Sequence, residues 1–221
     1  MKVPVITIDG PSASGKGTVA ACVASRLGFH YLDSGSLYRL VALYADRVGI
    51  DWDDEPALAR AALTLPVAFC DGGVLLDGNE ATEAIRAEHI GIGASRVGAL
   101  PAVRTALMQR QRDFRVAPGL VTDGRDMGSV VFPDADLKIF LTASADERAT
   151  RRYKQLIDKG ESANLPQIRQ DIIDRDQRDA ARPVAPLRQE PDALLLDTTA
   201  LTIDQAVEAV LSWFAAKSSD C

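Results

Sequence analysis

The chain of 221 residues has few cysteines, few asparagines and no long apolar run. Its three cysteines, Cys22, Cys70 and Cys221, show no paired spacing, which argues against a disulfide framework and favours a reducing compartment. No apolar run approaches the roughly 18 residues of a membrane span, and no charged and apolar leader precedes the first predicted strand. We therefore expect a soluble, cytoplasmic protein.

Positive charge is outnumbered by negative charge in this sequence. Against 31 Asp and Glu there are 25 Lys and Arg, which gives a net charge of −6. This balance argues against a nucleic-acid polymer or an anionic membrane as a partner, so a basic site must be local. With 47% hydrophobic residues, the chain can bury one sizeable α/β core, and a single domain is expected. We expect a monomer, since no exposed heptad or large apolar stripe is apparent.

The segment GPSASGKGT, Gly10–Thr18, lies between a short β-branched run and an apolar pattern with helical spacing. Gly10, Gly15 and Lys16 therefore fit the G-x-x-x-x-G-K pattern at a strand-to-helix turn. Glycines let backbone N–H groups turn toward a phosphate, the helix N-terminus adds partial positive charge, and Lys16 can reach the outer phosphates. The segment predicts a P-loop; the alternative is a glycine-rich turn with a surface lysine.

This P-loop departs from the common pattern at the residue after the lysine. That position usually carries a Ser or Thr that ligates Mg²⁺, but here it is Gly17, and Thr18 follows one residue later. Direct ligation of a metal by a hydroxyl at the usual place is therefore excluded.

Five apolar segments that alternate with helical patterns predict a three-layer, doubly wound α/β fold with a five-stranded parallel sheet. Turn signals at 71–73 and 77–79 predict a small antiparallel insertion. Helices are predicted from about Ser36 to Val48 and, after a Thr202–Gln205 capping box, through Trp213. We divide the single domain into a core (1–33, 101–147 and 183–221), a region with the insertion (34–100) and a helical lid (148–182).

Polar residues follow the second and third predicted strands of the sheet. Ligands of such sheets bind beyond the carboxyl ends of the strands, where this sequence places Asp33, Ser34 and Arg39, and then Asp123, Arg125 and Asp126. Asp123 ends an apolar strand and could hold Mg²⁺ directly or through water. An ordinary polar turn is the alternative for this second group.

The late helical segment is rich in charge. Arg175, Asp179 and Arg182 have the i, i+4, i+7 spacing of one helical face, and Arg151 and Arg152 lie on the preceding predicted helix. Such a charge run is usually a solvated surface. Two arginine-bearing helices joined by a polar loop would instead form a lid that closes over phosphates and excludes water.

Five motifs together resemble the bacterial cytidylate kinases, within the P-loop nucleoside monophosphate kinases. They are GPSASGKGT, YLDSGSLYR, DGRDMGSVVFPDA, KIFLTAS and RDQRDAARPVAPL, which occur in order over nearly the whole chain. The resemblance implies transfer of the γ-phosphate of ATP to CMP or dCMP with Mg²⁺. It implies that Gly10, Pro11, Ser12, Ala13, Ser14, Gly15, Lys16, Gly17 and Thr18 bind ATP.

The resemblance also implies a set of acceptor-binding residues: Ser34, Tyr38, Arg39, Ser95, Arg104, Arg125, Asp126, Arg175, Asp179 and Arg182. Arg39 and Arg125 are expected to hold the acceptor phosphate. Asp126 or Ser34 could accept from the cytosine amino group, while Arg104 with Ser95 could donate to the ring. Asp179 with Arg175 suits the ribose hydroxyls. Lys16, Arg125, Arg151 and Arg182 are the predicted catalytic residues, since they would stabilise the charge of the transferring phosphoryl group.

Three other functions are the alternatives. A GTPase would require an Asn-Lys-x-Asp motif, but Asn79 and Asn164 are followed by Glu80 and Leu165. A kinase of another small metabolite, such as shikimate or gluconate, would share the P-loop and the sheet. A nucleotide-binding module without catalysis would bind ATP but release no ADP when an acceptor is added.

Overall fold

Short apolar runs form strands and longer amphipathic segments form helices along this chain. The computed structural model describes residues 2–70 and 73–219. The strands are β1 Val5–Asp9, β2 His30–Asp33, β3 Val67–Cys70, β4 Gly73–Leu76, β5 Asn79–Glu80, β6 Leu120–Gly124, β7 Leu137–Thr142 and β8 Leu194–Asp197. The α-helices are α1 Lys16–Leu27, α2 Ser34–Val48, α3 Glu55–Leu63, α4 Glu88–Val97, α5 Pro101–Arg112, α6 Ala145–Asp158, α7 Leu165–Ala180 and α8 Ile203–Ser219.

The main sheet has β1 at its centre. Within the described residues it contains five strands in the order β2-β6-β1-β7-β8. β1 runs parallel to β6, with Asp9 opposite Gly124, and parallel to β7, with Ile6 opposite Leu137. The predicted doubly wound α/β class is confirmed. The glycine-rich turn therefore follows a central strand, at the carboxyl edge where such sheets bind ligands.

The two faces of β1 pack against different elements because side chains alternate along a strand. Ile6 and Ile8 are fully buried in a core shared with α1 and α8, where Val23 and Val210 are equally inaccessible. On the opposite face, a π-helical turn at Met127–Val131 lies against the sheet. A Cβ on Gly128 would lie 2.8 Å from Thr7 Oγ1, so glycine permits this close approach.

Contacts divide the chain into two compact units. The first contains the residues up to Leu32 and those from Phe114 onward, and the second contains Asp33–Asp113. Residues 101–113 thus cluster with the second unit, although the sequence suggested that they belong to the core. The reason lies in α5, where the Ala102 N–H donates to Glu55 Oε1 at 2.7 Å and Arg110 donates to the Leu65 carbonyl at 3.1 Å. The predicted lid, 148–182, clusters with the first unit.

The antiparallel insertion lies within the second unit. β3 pairs with β4 and β4 with β5, so the predicted hairpins are confirmed. Asp77 and Gly78 form the second turn with φ of 52° and 72°, a left-handed conformation that asparagine, aspartate and glycine adopt most readily. Asp71 and Gly72 of the first predicted turn lie outside the described residues.

Local capping decides where several helices begin and end. α2 begins at Ser34, two residues before the predicted start, because the Asp33 carboxylate accepts from the Ser36 N–H and caps the helix. The predicted Thr202–Gln205 capping box is confirmed, with bonds of 2.9 and 3.2 Å in the two directions. α8 continues beyond the predicted Trp213 to Ser219.

Two of the three cysteines lie in the described part of the chain. Cys22 and Cys70 are free thiols, as the absence of paired spacing predicted, while Cys221 lies outside the described residues. Among the helices that the structure describes, none combines the length and the apolar character needed to cross a membrane.

Candidate active site

The glycine-rich turn folds as a compact loop that ends at the N-terminus of α1. Gly15 precedes the helix with φ of 90°, and Ala13 also has a positive φ of 56°. A Cβ on Gly10 would lie only 2.0 Å from the Leu141 carbonyl oxygen, which explains glycine at the first position of the motif. The first N–H groups of an α-helix lack acceptors within the helix, so this end of α1 suits an anion.

Lys16 lies beside a carboxylate from a neighbouring strand. Its side chain is largely buried, and its Nζ donates to the Pro11 carbonyl at 3.3 Å. The Nζ is also 4.0 Å from Oδ2 of Asp123, the buried carboxylate near the end of β6. The predicted lysine and the predicted metal-binding carboxylate therefore lie together at the carboxyl edge of the sheet.

Two arginines of α6 donate hydrogen bonds to backbone carbonyls of the P-loop. Arg151 donates to the Ser14 carbonyl at 3.0 Å and to the Thr198 carbonyl at 2.7 Å. Arg148 donates to the Ser12 carbonyl at 3.1 Å and forms an ion pair of 2.7 Å with Asp176 of α7. Sequence reasoning named Arg151 but missed Arg148, which lies three residues earlier and so on the same face of the helix.

A second cluster of charges forms around Asp179 near the end of α7. The Asp179 side chain is only 1% exposed; Arg125 Nε donates to its Oδ2 at 2.8 Å, and Arg182 donates to its Oδ1. Burial alone would raise the pKa of Asp179, but the charges of Arg125, Arg182 and Arg175 outweigh it, so this pKa lies below its usual value. These residues form a buried ionic cluster rather than a solvated surface.

Arg182 lies two residues beyond the end of α7, although its spacing from Arg175 and Asp179 predicts that all three share one helical face. α7 ends at Ala180, because Arg182 precedes Pro183 and a residue before proline is disfavoured in the α conformation. The ion pair with Asp179 nevertheless forms at the i, i+3 spacing.

Asp9 joins the P-loop strand to the segment that carries the predicted acceptor residues. Its two carboxylate oxygens accept from the backbone N–H groups of Met127 and Gly128 at 2.9 and 2.8 Å. These donors follow directly after Asp126, which is 2% exposed. Asp9 therefore fixes the chain at the point where Arg125 and Asp126 leave β6. Sequence reasoning did not single it out.

We expect Asp9 to make the protein less stable as the pH rises toward neutrality. Burial raises the pKa of Asp9 from 3.8 to about 7, with the charge of Asp126 acting in the same direction and the two N–H donors and Lys16 opposing it. A carboxyl whose pKa is higher in the folded state contributes stability that is complete below pH 3.8 and is lost as the pH rises through about 7. At about 1.4 kcal/mol per pKa unit, the loss approaches about 4 kcal/mol.

Urea unfolding between pH 4 and 8 measures this effect. The Asp9→Asn variant lacks the titrating group, so its free energy of unfolding should depend less on pH than that of the wild type. Asp204→Asn, which changes an exposed carboxylate of α8, serves as the control and should keep the wild-type dependence. Equal pH dependence in Asp9→Asn and the wild type would contradict the expectation.

Five of the predicted acceptor-binding residues lie in the second unit: Ser34, Tyr38, Arg39, Ser95 and Arg104. The Arg104 guanidinium lies 5.6 Å from the centre of the Tyr38 ring and donates to the Gly98 carbonyl at 2.9 Å. Arg39 donates to the Ile85 carbonyl at 2.8 Å and packs against Gly91. Ser34 and Ser95 are also buried. The other five, Arg125, Asp126, Arg175, Asp179 and Arg182, lie in the first unit.

The donor set beside the P-loop suits Mg²⁺ bound mainly through water and phosphate. In the described residues, no group of three His, Cys, Asp or Glu side chains could enclose a metal ion. Asp123 nevertheless presents a buried carboxylate beside Lys16, and Gly17 offers no side-chain oxygen. Mg²⁺ commonly keeps several waters and is bound by one or two carboxylates together with substrate phosphates, so these residues fit that ion.

Comparison with known proteins identifies the family. A family model described as cytidylate kinase matches residues 6–216. A cytidylate kinase of Chromobacterium violaceum is 80% identical over 219 residues, which cover 99% of each chain. One of Cupriavidus pinatubonensis is 60% identical over 214 residues, or 97% of each chain. The structure of a gluconokinase from Sinorhizobium meliloti matches this chain with a TM-score of 0.51 at 14% sequence identity. The match covers 98% of this chain and 94% of the gluconokinase chain, and it shows similarity of fold alone. The chain belongs to the cytidylate kinase family.

Proposed function

We propose that this protein transfers the γ-phosphate of ATP to CMP or dCMP, which yields ADP and CDP or dCDP. One observation carries this assignment: a P-loop lysine lies 4.0 Å from a buried carboxylate at the carboxyl edge of a parallel sheet, in a chain 80% identical to a cytidylate kinase. The P-loop supplies the phosphate site, and the family supplies the identity of the acceptor.

The ATP phosphates are assigned to the loop from Gly10 to Thr18. Its backbone N–H groups and the N-terminus of α1 favour a polyanion, and Lys16 adds a full positive charge. The hydroxyl oxygens of Ser12 and Ser14 support the assignment, since both are buried and make no hydrogen bond within the described part of the chain. A bound phosphate would give these hydroxyls an acceptor.

The phosphate and ribose of the acceptor are assigned to the arginines and Asp179. Arg125 and Arg39 would hold the phosphate of CMP, since a guanidinium can donate two parallel hydrogen bonds to it. Asp179 with Arg175 would bind the ribose hydroxyls. The ion pair between Arg125 and Asp179 orients both side chains in the described structure.

The cytosine ring is assigned to Ser34, Ser95, Arg104 and Asp126. Asp126 or Ser34 would accept from the amino group, and Arg104 with Ser95 would donate to the ring. The contact between Arg104 and Tyr38, together with the bond to the Gly98 carbonyl, limits the directions that this guanidinium can take. Uracil would present a carbonyl to the acceptor, which is a repulsive mismatch that gives discrimination.

Phosphoryl transfer then requires positioning and charge stabilisation rather than a covalent intermediate. A phosphate oxygen of CMP attacks the γ-phosphorus in line, a P–O bond forms, and the bond to the β–γ bridging oxygen breaks to release ADP. Asp123 would hold Mg²⁺ together with the ATP phosphates, and the ion would supply neutralisation of their charge. Lys16, Arg125, Arg151 and Arg182 would stabilise the charge that spreads over the transferring group.

The assignment predicts ADP release that depends on the base of the acceptor. We expect rapid release with CMP and dCMP, at least about tenfold slower release with UMP because of the mismatch, and background rates with AMP, shikimate and gluconate. A coupled assay of ADP with ATP and Mg²⁺ measures these rates side by side.

The same acceptor panel separates the rival functions. Turnover confined to gluconate or shikimate would replace the assignment with a kinase of another metabolite. ATP binding without ADP release on any acceptor would indicate a binding module. A monomer and a cytoplasmic location accompany the proposal, and sedimentation equilibrium tests the first of these.

A further inference from the structure

Tyr31 donates a hydrogen bond to the carboxylate that would serve the metal site. Its hydroxyl lies 2.7 Å from Asp123 Oδ1, while Lys16 Nζ lies 4.0 Å from the other oxygen, Oδ2. The two residues meet because Tyr31 is on β2 and Asp123 is on β6, the neighbouring strand of the sheet. The carboxylate therefore has a defined partner on each of its oxygens.

Gly17 lies beside this contact. A Cβ on Gly17 would lie 3.4 Å from the Tyr31 hydroxyl and 3.7 and 3.8 Å from the two Asp123 oxygens. The Ser or Thr of the common P-loop pattern would place its Cβ at these contact distances from the tyrosine–aspartate pair. The hydroxyl absent from the P-loop at residue 17 is thus matched by a hydroxyl from β2, directed at the carboxylate.

We propose that Tyr31 is a positioning residue of the magnesium site, which acts by fixing the orientation of the Asp123 carboxylate. The inference rests on the proposed function and extends it to a residue outside the assigned nucleotide-binding set. A hydrogen bond to one carboxylate oxygen restricts rotation of the group and so favours one orientation of Asp123 toward the water shell of the ion. Partners of this kind commonly change metal affinity by about 10- to 100-fold when they are removed.

Binding of Mn²⁺ to the protein–ADP complex tests the proposal without turnover. Free Mn²⁺ is followed by electron paramagnetic resonance in the wild type and in Tyr31→Phe. We expect the variant to bind Mn²⁺ at least about tenfold more weakly, while its affinity for ADP in the presence of EDTA stays within about twofold. Because Tyr31 is 37% exposed, loss of its hydroxyl should leave the fold intact. Tyr31→Leu also removes the hydroxyl, and the same loss is expected there.

Two controls separate a positioning role from a general structural one. Tyr44→Phe, a change of a half-buried tyrosine on α2, should keep wild-type affinity for Mn²⁺. In an Asp123→Asn background, Tyr31→Phe should add little further loss, since the tyrosine acts through that carboxylate. Unchanged Mn²⁺ affinity in both Tyr31 variants, or an equal loss of ADP affinity without metal, would overturn the proposal. The assay contains no CMP, so its outcome is independent of the acceptor panel.

Discussion

Replacement of Lys16 by methionine is expected to lower kcat for CMP phosphorylation by about 10²- to 10³-fold. The ammonium group would contact the transferring phosphates, where negative charge must be neutralised in a site with little water. Lys16 is buried and lies at the N-terminus of α1, so its position is set by the loop and by Asp123. Methionine has a similar length and no charge. Steady-state ADP release at saturating CMP and ATP measures the effect.

A matched lysine variant gives the control for this prediction. Lys154→Met changes an exposed lysine of α6 and should leave kcat within about twofold of the wild type. Circular dichroism of both variants establishes that each is folded. Wild-type turnover in Lys16→Met would contradict the assignment of the P-loop to the proposed active site.

Replacement of Arg182 by alanine is expected to lower kcat by about 10³-fold or more, because an arginine directed at a transferring phosphoryl group contributes roughly 10³ to 10⁵ in rate. Arg182 is held by Asp179, which also binds Arg125, so its guanidinium has a fixed position rather than a solvated one. Asp179 keeps its bond to Arg125 in this variant, so the carboxylate does not become an unpaired buried charge. Single-turnover kinetics with CMP separates the chemical step from product release.

Arg178 provides the matched control on the same segment. Arg178 is exposed on α7, and its Nε donates to the Asp174 carbonyl one turn earlier in the same helix. Arg178→Ala should therefore keep nearly wild-type turnover. An equal loss of activity in Arg178→Ala and Arg182→Ala would show that the whole segment acts through stability. Turnover of Arg182→Ala within tenfold of the wild type would remove this arginine from the catalytic set.

The predictable parts of this fold are those that local sequence specifies. The P-loop follows from Gly10, Gly15 and Lys16, since glycine conformations and helix spacing are properties of short segments. The antiparallel insertion follows from its turn residues for the same reason. The helix ends were less predictable. The cap at Asp33 places the start of α2 two residues before the predicted start, and α7 ends before Arg182, the residue that precedes Pro183.

The contacts that support the site could not be predicted from local patterns. Arg148 reaches the Ser12 carbonyl across 136 residues, and Asp9 reaches the Gly128 N–H across 119. Arg148 shares a helical face with Arg151, but nothing in the sequence near Arg148 or Asp9 indicates the distant partner of either residue. Their partners are set by strand order and by the packing of α6 beside the P-loop.

The sequence alone determined the phosphate-binding turn, the alternation of strands and helices, and the residue types that suit a phosphoryl transfer. These depend on backbone conformation and on spacings of a few residues, which short segments encode. The tertiary structure decided which charged groups meet: Lys16 with Asp123, Tyr31 with the same carboxylate, and Asp179 with Arg125. The members of such a pair lie far apart in the sequence, by 107 residues for Lys16 and Asp123. The order of strands in the sheet and the packing of helices beside it bring them together.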